Sequence, residues 1–261
     1  MNAIHEPVVA GSFYPGAAAE LTETLAALLG AAEEYVGPAP KALIVPHAGY
    51  IYSGPTAAAG YARLRTWSDC YERVVLLGPC HRVPVRGLAA SGAVSFRTPL
   101  GDVPVAAEAI ATLDLPVIEA AHRYEHSLEV HLPFLQAVVG SFELIPIVVG
   151  DASHEEVADV LERLWDGPET LIVISSDLSH YHPYDIARER DHRTCAAIER
   201  LDPSNIDHED ACGATPVGGL LLAARRHGLR VETIDLRNSG DTAGDKDHVV
   251  GYGAWAFLED V

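Results

Sequence analysis

The chain has 261 residues, a length that suits one large α/β domain or two small ones. Its 18 lysine and arginine residues stand against 37 aspartate and glutamate residues, so the formal net charge is −19, which argues against nucleic acid or an anionic membrane surface as a partner. Apolar residues make up 48% of the chain but occur in short runs, whereas a membrane-spanning helix needs roughly 18 consecutive apolar residues.

The N-terminal region and the cysteines both bear on the cellular compartment. No basic segment followed by an apolar one is seen near the start, so a secretory signal is not expected and the predicted location is the cytoplasm. The four cysteines include no Cys-x-x-Cys pair and are too sparse for a disulfide framework, which predicts reduced thiols.

Short apolar, β-branched runs alternate with longer helical patterns, as is typical of βαβ units. In chain order, the pattern predicts a strand at residues 42–46, a helix at 55–65, a strand at 73–78, a hairpin-like excursion at 88–105, helices at 105–113 and 127–139, a strand at 143–149, a helix from 154 to about 165 that Ser153 and Glu156 cap, a strand at 170–175, helices at 184–201 and 216–227, and strands at 230–236 and 249–258. No linker or internal repeat interrupts the pattern. We therefore predict a single α/β domain over residues 1–261, with a mostly parallel central sheet and helices on both faces.

Polar clusters follow three of the predicted strands. His47 and His81 each come just after an apolar strand, and Asp177 and His180 follow the strand at 170–175. Because the carboxyl ends of parallel strands meet at one edge of a sheet, we expect these side chains to converge there. Neutral imidazoles suit a divalent transition metal, and His47 and His81 form the best pair of ligands.

A third ligand is needed, and four residues are candidates: Cys212, Asp177, His180 and Glu125. Cys212 directly precedes a predicted helix, where the helix dipole and a nearby metal would lower the pKa of the thiol. The alternative is that Cys212 is simply a small buried apolar residue.

The segment from Glu125 to His131 resembles a helical metal motif but misses it by one residue. His126 and His131 are five positions apart, which places them about 140° apart around a helix, so they cannot share one metal while the segment is helical. His126 remains free to face the site.

Two further polar segments have alternative interpretations. His180 beside Asp177 could act as an oriented acid or base, although Ser-Asp after a strand also caps helices. The polar segment at 238–248, between the last two strands, is either a rim or lid of the site or a solvated connection.

Taken together, these motifs resemble the Memo family, also labelled AmmeMemoRadiSam system protein B, over nearly the whole chain. The matching segments are Ala10-Gly11-Ser12-Phe13-Tyr14-Pro15, Val45-Pro46-His47-Ala48-Gly49-Tyr50, Gly54, Leu77-Gly78-Pro79-Cys80-His81, Glu125-His126-Ser127-Leu128-Glu129-Val130-His131-Leu132-Pro133, Ser176-Asp177-Leu178-Ser179-His180, and Cys212-Gly213 with Pro216.

The resemblance implies a fold similar to class III extradiol ring-cleavage dioxygenases, with a metal pocket at the strand ends. By position, His47 and His81 match metal-binding histidines and Cys212 matches the family's cysteine ligand. His180 matches the histidine that acts as acid or base in the dioxygenases, and Asp177 matches a pocket aspartate. The dioxygenases complete their site with a carboxylate, so the cysteine departs from the ring-cleaving pattern. The resemblance also implies an AMMECR1-like protein and a radical SAM enzyme as partners.

These observations lead to a hypothesis and two alternatives. We expect a metal-dependent redox or dioxygenase-like protein that binds a divalent transition metal, foremost Fe(II), with Cu or Zn as alternatives. The two alternatives are a non-catalytic module that binds a protein or peptide partner and a metal-handling protein. The predicted metal ligands are His47, His81 and Cys212, and the predicted catalytic residues are His180, Asp177 and His126.

Overall fold

Buried β-branched runs form the centre of the molecule, in a computed structural model that describes residues 3–259. The strands are β1 (Ile4–His5), β2 (Pro40–Val45), β3 (Arg73–Pro79), β4 (Leu88–Ala90), β5 (Ser95–Thr98), β6 (Gly101–Pro104), β7 (Glu143–Val149), β8 (Thr170–Ser175), β9 (His180–His182), β10 (Arg230–Asn238) and β11 (Val249–Leu258). The α-helices are α1 (Ala18–Ala31), α2 (Tyr50–Ala62), α3 (Ala107–Ala111), α4 (Glu119–His122), α5 (Leu132–Val138), α6 (His154–Arg163), α7 (Tyr184–Glu199) and α8 (Ala214–Arg226).

The main sheet is mixed, with a parallel centre. Its strands lie in the order β10-β11-β2-β8-β3-β7-β4, and β9 pairs with β11. The four central strands, β2, β8, β3 and β7, run parallel, whereas β11 and β10 on one side and β4 on the other are antiparallel to their neighbours. A single α/β domain is therefore confirmed, and the antiparallel strands are confined to the two sides of the parallel centre.

Helices flank this sheet, and a small second sheet lies beside it. The α2 helix packs on β2, β10 and β11, while α8 packs on β3 and β8 and against α6. The second sheet has the order β1-β5-β6, and its β5–β6 hairpin confirms the predicted excursion at 88–105. Within residues 3–259, no helix is long and apolar enough to cross a membrane.

Most predicted elements agree with the structure to within a few residues, but the short elements β1, α4 and β9 have no predicted counterpart. The capping box that begins α6 is present, since Ser153 Oγ accepts from Glu156 N and the Glu156 carboxylate accepts from Ser153 N. The α1 helix was not predicted. The predicted helix at 127–139 is shorter, because a turn and a 3₁₀ segment (Glu129–His131) precede α5.

The strand order positions the candidate site. Because β8 lies between β2 and β3, the loops that follow these three strands are neighbours at one edge of the sheet. In register, Val45 at the end of β2 pairs with Ser175 at the end of β8. Because of this register, the residues that follow both strands begin at the same level along the strand direction, next to each other at the edge of the sheet.

Candidate metal centre

His47 is held by groups from β8 and from the loop that follows it. Its backbone N–H donates to Asp177 Oδ1 at 2.8 Å, and its Nδ1 lies 2.6 Å from Ser175 Oγ. Ser175 Oγ donates its own proton to the carbonyl of Ser127, at 2.7 Å, so it accepts from Nδ1 of His47. This assignment places the proton on Nδ1 and leaves Nε2 of His47 with its lone pair free.

His81 is oriented by Glu125 in the same way. Nδ1 of His81 donates to Glu125 Oε1 at 2.9 Å, and the backbone N–H of His81 donates to Oε2 at 2.6 Å. The backbone N–H groups of His126 and Ser127 also donate to Oε1. Burial raises the pKa of Glu125, but the hydrogen bonds from His81 and Ser127 outweigh it and lower the pKa to about 2. The ionised carboxylate therefore fixes the tautomer of His81 with Nε2 free.

His126 completes a group of three imidazoles, which we call the histidine cluster (His47, His81 and His126). One ring nitrogen of each lies within 4.8 Å of those of the other two. The ring of His126 stacks on His81, with centroids 4.9 Å apart, and its buried Nδ1 lies 3.3 Å from Glu125 Oε1. Burial lowers the pKa of His47 and of His126, so both imidazoles are neutral near pH 7.

The histidine cluster fits a divalent transition metal. Neutral imidazoles are good ligands for Fe, Cu and Zn, and each needs a hydrogen-bond acceptor on its second nitrogen to fix its orientation. Ser175 and Glu125 are such acceptors for His47 and His81. The Nδ1 atom of His126 also faces Glu125, at 3.3 Å, which leaves the other ring nitrogen of His126 for an ion.

Cys212 lies beside the cluster, at the start of α8. Its Sγ is 3.6 Å from His47 Nε2 and accepts from the backbone N–H of Asp177 at 3.3 Å. Burial, with the charge of Asp177 in addition, raises the pKa of the Cys212 thiol. The expectation that the helix start lowers this pKa is therefore wrong for the protein without a metal, because desolvation is the larger effect.

The two remaining predicted catalytic residues are also near the cluster. Asp177 is buried, and burial raises the pKa of its carboxyl. His180 is held in β9, whose pairing with β11 places His180 opposite Val250, and it lines the same cavity as the cluster. His131 lies elsewhere, in the core, with its Nδ1 2.9 Å from the hydroxyl of Tyr61.

A cavity of about 650 Å³ opens beside the histidine cluster. Its lining includes residues that the sequence analysis did not single out, namely Phe13, Ile51, Tyr52, Tyr181 and Tyr252. Tyr252 had no assigned role in the sequence, but the glycines on either side of it are a signal of close approach to neighbouring chain segments. The polar segment at 238–248 forms part of the rim, through Ser239, Gly244, Asp245 and His248.

Comparison with known proteins gives consistent results over nearly the whole chain. A family model described as "Memo-like protein" matches residues 5–256. The chain is 39% identical to a "MEMO1 family protein" of Aquifex aeolicus over 270 residues, which cover 98% of this chain and 99% of the relative. It is 38% identical to a relative of the same description from Ignicoccus hospitalis, with 97% and 98% covered, and 33% identical to one from Nitrosopumilus maritimus, with 98% and 100% covered.

Proposed function

Since the chain belongs to the Memo-like protein family, we propose that it is a metal-dependent redox protein, similar to the extradiol dioxygenases in the location of its site. The metal is a divalent transition ion, foremost Fe(II), with Cu or Zn as alternatives. Its predicted ligands are His47, His81 and Cys212, and His126 is the further ligand that the geometry favours. The protein acts in the cytoplasm on a small molecule.

The observation that carries this proposal is the convergence of three imidazoles, those of His47, His81 and His126. Two of them have their second nitrogen held by an acceptor, and Nδ1 of the third lies 3.3 Å from the Glu125 carboxylate. Histidines that bind a metal usually have the second ring nitrogen oriented by an acceptor while the first faces the ion, so this convergence supports a metal site over a packing role. When bound, a redox-active ion would supply electron transfer and a binding position for a small ligand.

The residues around the cluster would handle protons. His180 lines the cavity and is the proposed acid or base. The raised pKa of Asp177 means that this carboxyl keeps a proton more readily than an exposed aspartate does, so it can donate one beside His47. The thiol of Cys212 would have to lose its proton in order to bind a metal.

Metal analysis of the protein tests the site. The protein is purified without oxygen, and its metal content is measured by mass spectrometry. We expect stoichiometric metal in the parent and loss of it in His47→Ala. His126→Ala and Cys212→Ser then distinguish the third ligand, because the true ligand is the one whose loss releases the ion. His248→Ala is the matched control, since His248 lines the same cavity outside the cluster. If His47→Ala combined with Cys212→Ser keeps the parent's metal, the proposed site is wrong.

A second measurement separates an enzyme from a binding or metal-handling protein. We expect His180→Ala to keep its metal and to lose oxygen consumption with a panel of catechol-like compounds. If the parent consumes no oxygen with any of them, the catalytic part of the proposal fails while the metal site stands. On the family resemblance alone, we also propose an AMMECR1-like protein and a radical SAM enzyme as partners, which co-purification from cells would test.

A further inference from the structure

The rim of the cavity carries a negative charge. Asp245 is exposed there, and the backbone N–H groups of His248 and Asp247 donate to its Oδ1, at 3.2 and 2.9 Å. These hydrogen bonds lower the pKa of the Asp245 carboxyl, so it is ionised near pH 7. Both bonds go to Oδ1, which leaves Oδ2 for a ligand.

No lysine or arginine is part of the lining that residues 3–259 provide. Lys246 follows Asp245 in the chain, but its Nζ lies 4.3 Å from the ring centre of Tyr184 and does not line the cavity. Arg82 helps to lower the pKa of His126 but is also outside the lining. The rim carboxylate therefore has no lysine or arginine beside it in the cavity wall, although the imidazole of His248, whose backbone N–H donates to Asp245, also belongs to the lining.

Aromatic rings form much of the wall. Phe13, Tyr52, Tyr181 and Tyr252 all line the cavity, and the ring of Phe13 meets His126 edge to face, with centroids 5.1 Å apart. Burial, Asp177 and the neighbouring Tyr52 and Tyr181 raise the pKa of Tyr252, as expected of phenols that lie close together. Ring faces attract cations, most strongly where water is excluded.

Tyr181 has a conformation that folding stability does not explain. Its φ is 60°, in the left-handed region that side chains other than glycine rarely adopt, and 71% of its surface is exposed. An exposed, strained aromatic residue contributes little packing energy, so its position at the cavity points to a role in binding.

We propose that this cavity binds a small organic cation, an amine with a ring-sized apolar body. The ammonium lies at the rim, by Asp245 and Tyr181, and the body lies against Phe13 and Tyr52 towards the histidine cluster. A metal in the cluster would repel the ammonium, which is why the charged end belongs at the rim. This inference rests on the proposed function, which locates the ligand in this cavity. It adds the class of compound that binds there.

The size of the cavity and the charge of the molecule agree with this class. A volume of about 650 Å³ falls within the range of about 300–1,000 Å³ that is usual for small-molecule sites. The net charge of −19 attracts a cation to the surface and repels an anion.

Three compounds that share a phenyl ring test the charge preference. Phenethylamine is cationic, phenylethanol is neutral and phenylacetate is anionic at pH 7. Their affinities are measured by NMR titration of the protein in the presence of a chelator, so that a failure of the metal proposal does not affect the result. We expect phenethylamine to bind about three- to thirtyfold more tightly than phenylacetate, with phenylethanol between them.

Two variants locate the effect. Asp245→Asn keeps an oxygen that can accept from the backbone of residues 247 and 248 but removes the charge, and it should abolish the preference for the amine. Asp247→Asn is its control, because Asp247 is exposed but outside the lining. Tyr181→Ala should weaken amine binding about three- to thirtyfold, whereas Tyr124→Ala, at an equally exposed tyrosine outside the lining, should not.

The proposal is overturned by any of three results. These are equal or tighter binding of phenylacetate, a charge preference that persists in Asp245→Asn, and the absence of binding by all three compounds at millimolar concentration. Loss of metal in the cluster variants does not bear on it.

Discussion

At the scale of single residues, Glu125 organises more of the site than any one histidine. Its carboxylate accepts from the backbone and the ring of His81 and from the backbone N–H groups of His126 and Ser127. These bonds stabilise the turn that presents His126 while they orient His81. The carboxylate therefore sets the geometry of two members of the histidine cluster without belonging to the cluster itself.

Replacement of this carboxylate gives a testable prediction. Glu125→Gln leaves a single acceptor oxygen and places an NH₂ group near donors, so we expect metal affinity to fall about 10- to 100-fold while the three histidines remain. Competition with a chromophoric chelator measures the change. Glu119→Gln, in the neighbouring α4, is the control, since Glu119 accepts from the backbone N–H of Gly92 and not from a cluster histidine. Equal affinity in both variants would show that Glu125 does not position the ligands.

At the scale of elements, the short β1 strand depends on a histidine that must stay neutral. His5 pairs with Phe96 of β5 and stacks on its ring, with centroids 4.3 Å apart. Burial and the nearby His122 lower the pKa of His5 to about 4. A histidine in the unfolded chain has a pKa of about 6.5, so between about pH 6.5 and pH 4 the unfolded chain binds a proton that the folded chain does not.

Stability is therefore lost as the pH falls through this range. The loss from His5 is at most about 3 kcal/mol, and smaller because solvent screens a half-buried group. We expect His5→Phe, which keeps the stacked ring, to have a flatter dependence of the melting temperature on pH than the parent has. The difference is measured by calorimetry between about pH 4.5 and pH 7. Parallel curves would mean that His5 does not cause the acid sensitivity.

Some features of the fold and of the site were predictable from the sequence, and others were not. The ends of β2, β3 and β8 were predictable, because buried β-branched runs followed by polar residues mark them. His126 was expected at the site as a catalytic residue, but its place beside His47 and His81 as a possible ligand was not predicted, since it depends on a turn in which the neighbouring Glu125 carboxylate accepts from the backbone of His126 and Ser127. The antiparallel pairing of β10 and β11 was also missed, because strand direction depends on the connection at 238–248 rather than on periodicity.

At the scale of the whole molecule, the charge of −19 opposes compactness. The repulsion acts between exposed carboxylates and is screened by salt over a distance of about 10 Å. Ion pairs such as the one between Arg97 and Asp102 are exposed, so they add little stabilising free energy to offset this repulsion.

We expect the melting temperature to rise by a few degrees when sodium chloride is increased from about 20 mM to about 200 mM, because screening relieves this repulsion. Chloride is used because sulfate stabilises proteins through exclusion from their surface. A melting temperature that falls with added chloride would indicate that favourable ion pairs dominate the electrostatic free energy.

The position of β11 has a consequence for how the protein is made. This strand is the last of those within residues 3–259, yet it lies between β2 and β10, pairs with β9 and supplies Tyr252 to the cavity. During translation, all three cluster histidines leave the ribosome before the strand that completes their surroundings. Until residue 249 and those after it are free, β2 has an unpaired edge and the cavity has no complete wall. Completion of the site therefore waits for β11, although all three histidines precede this strand in the chain.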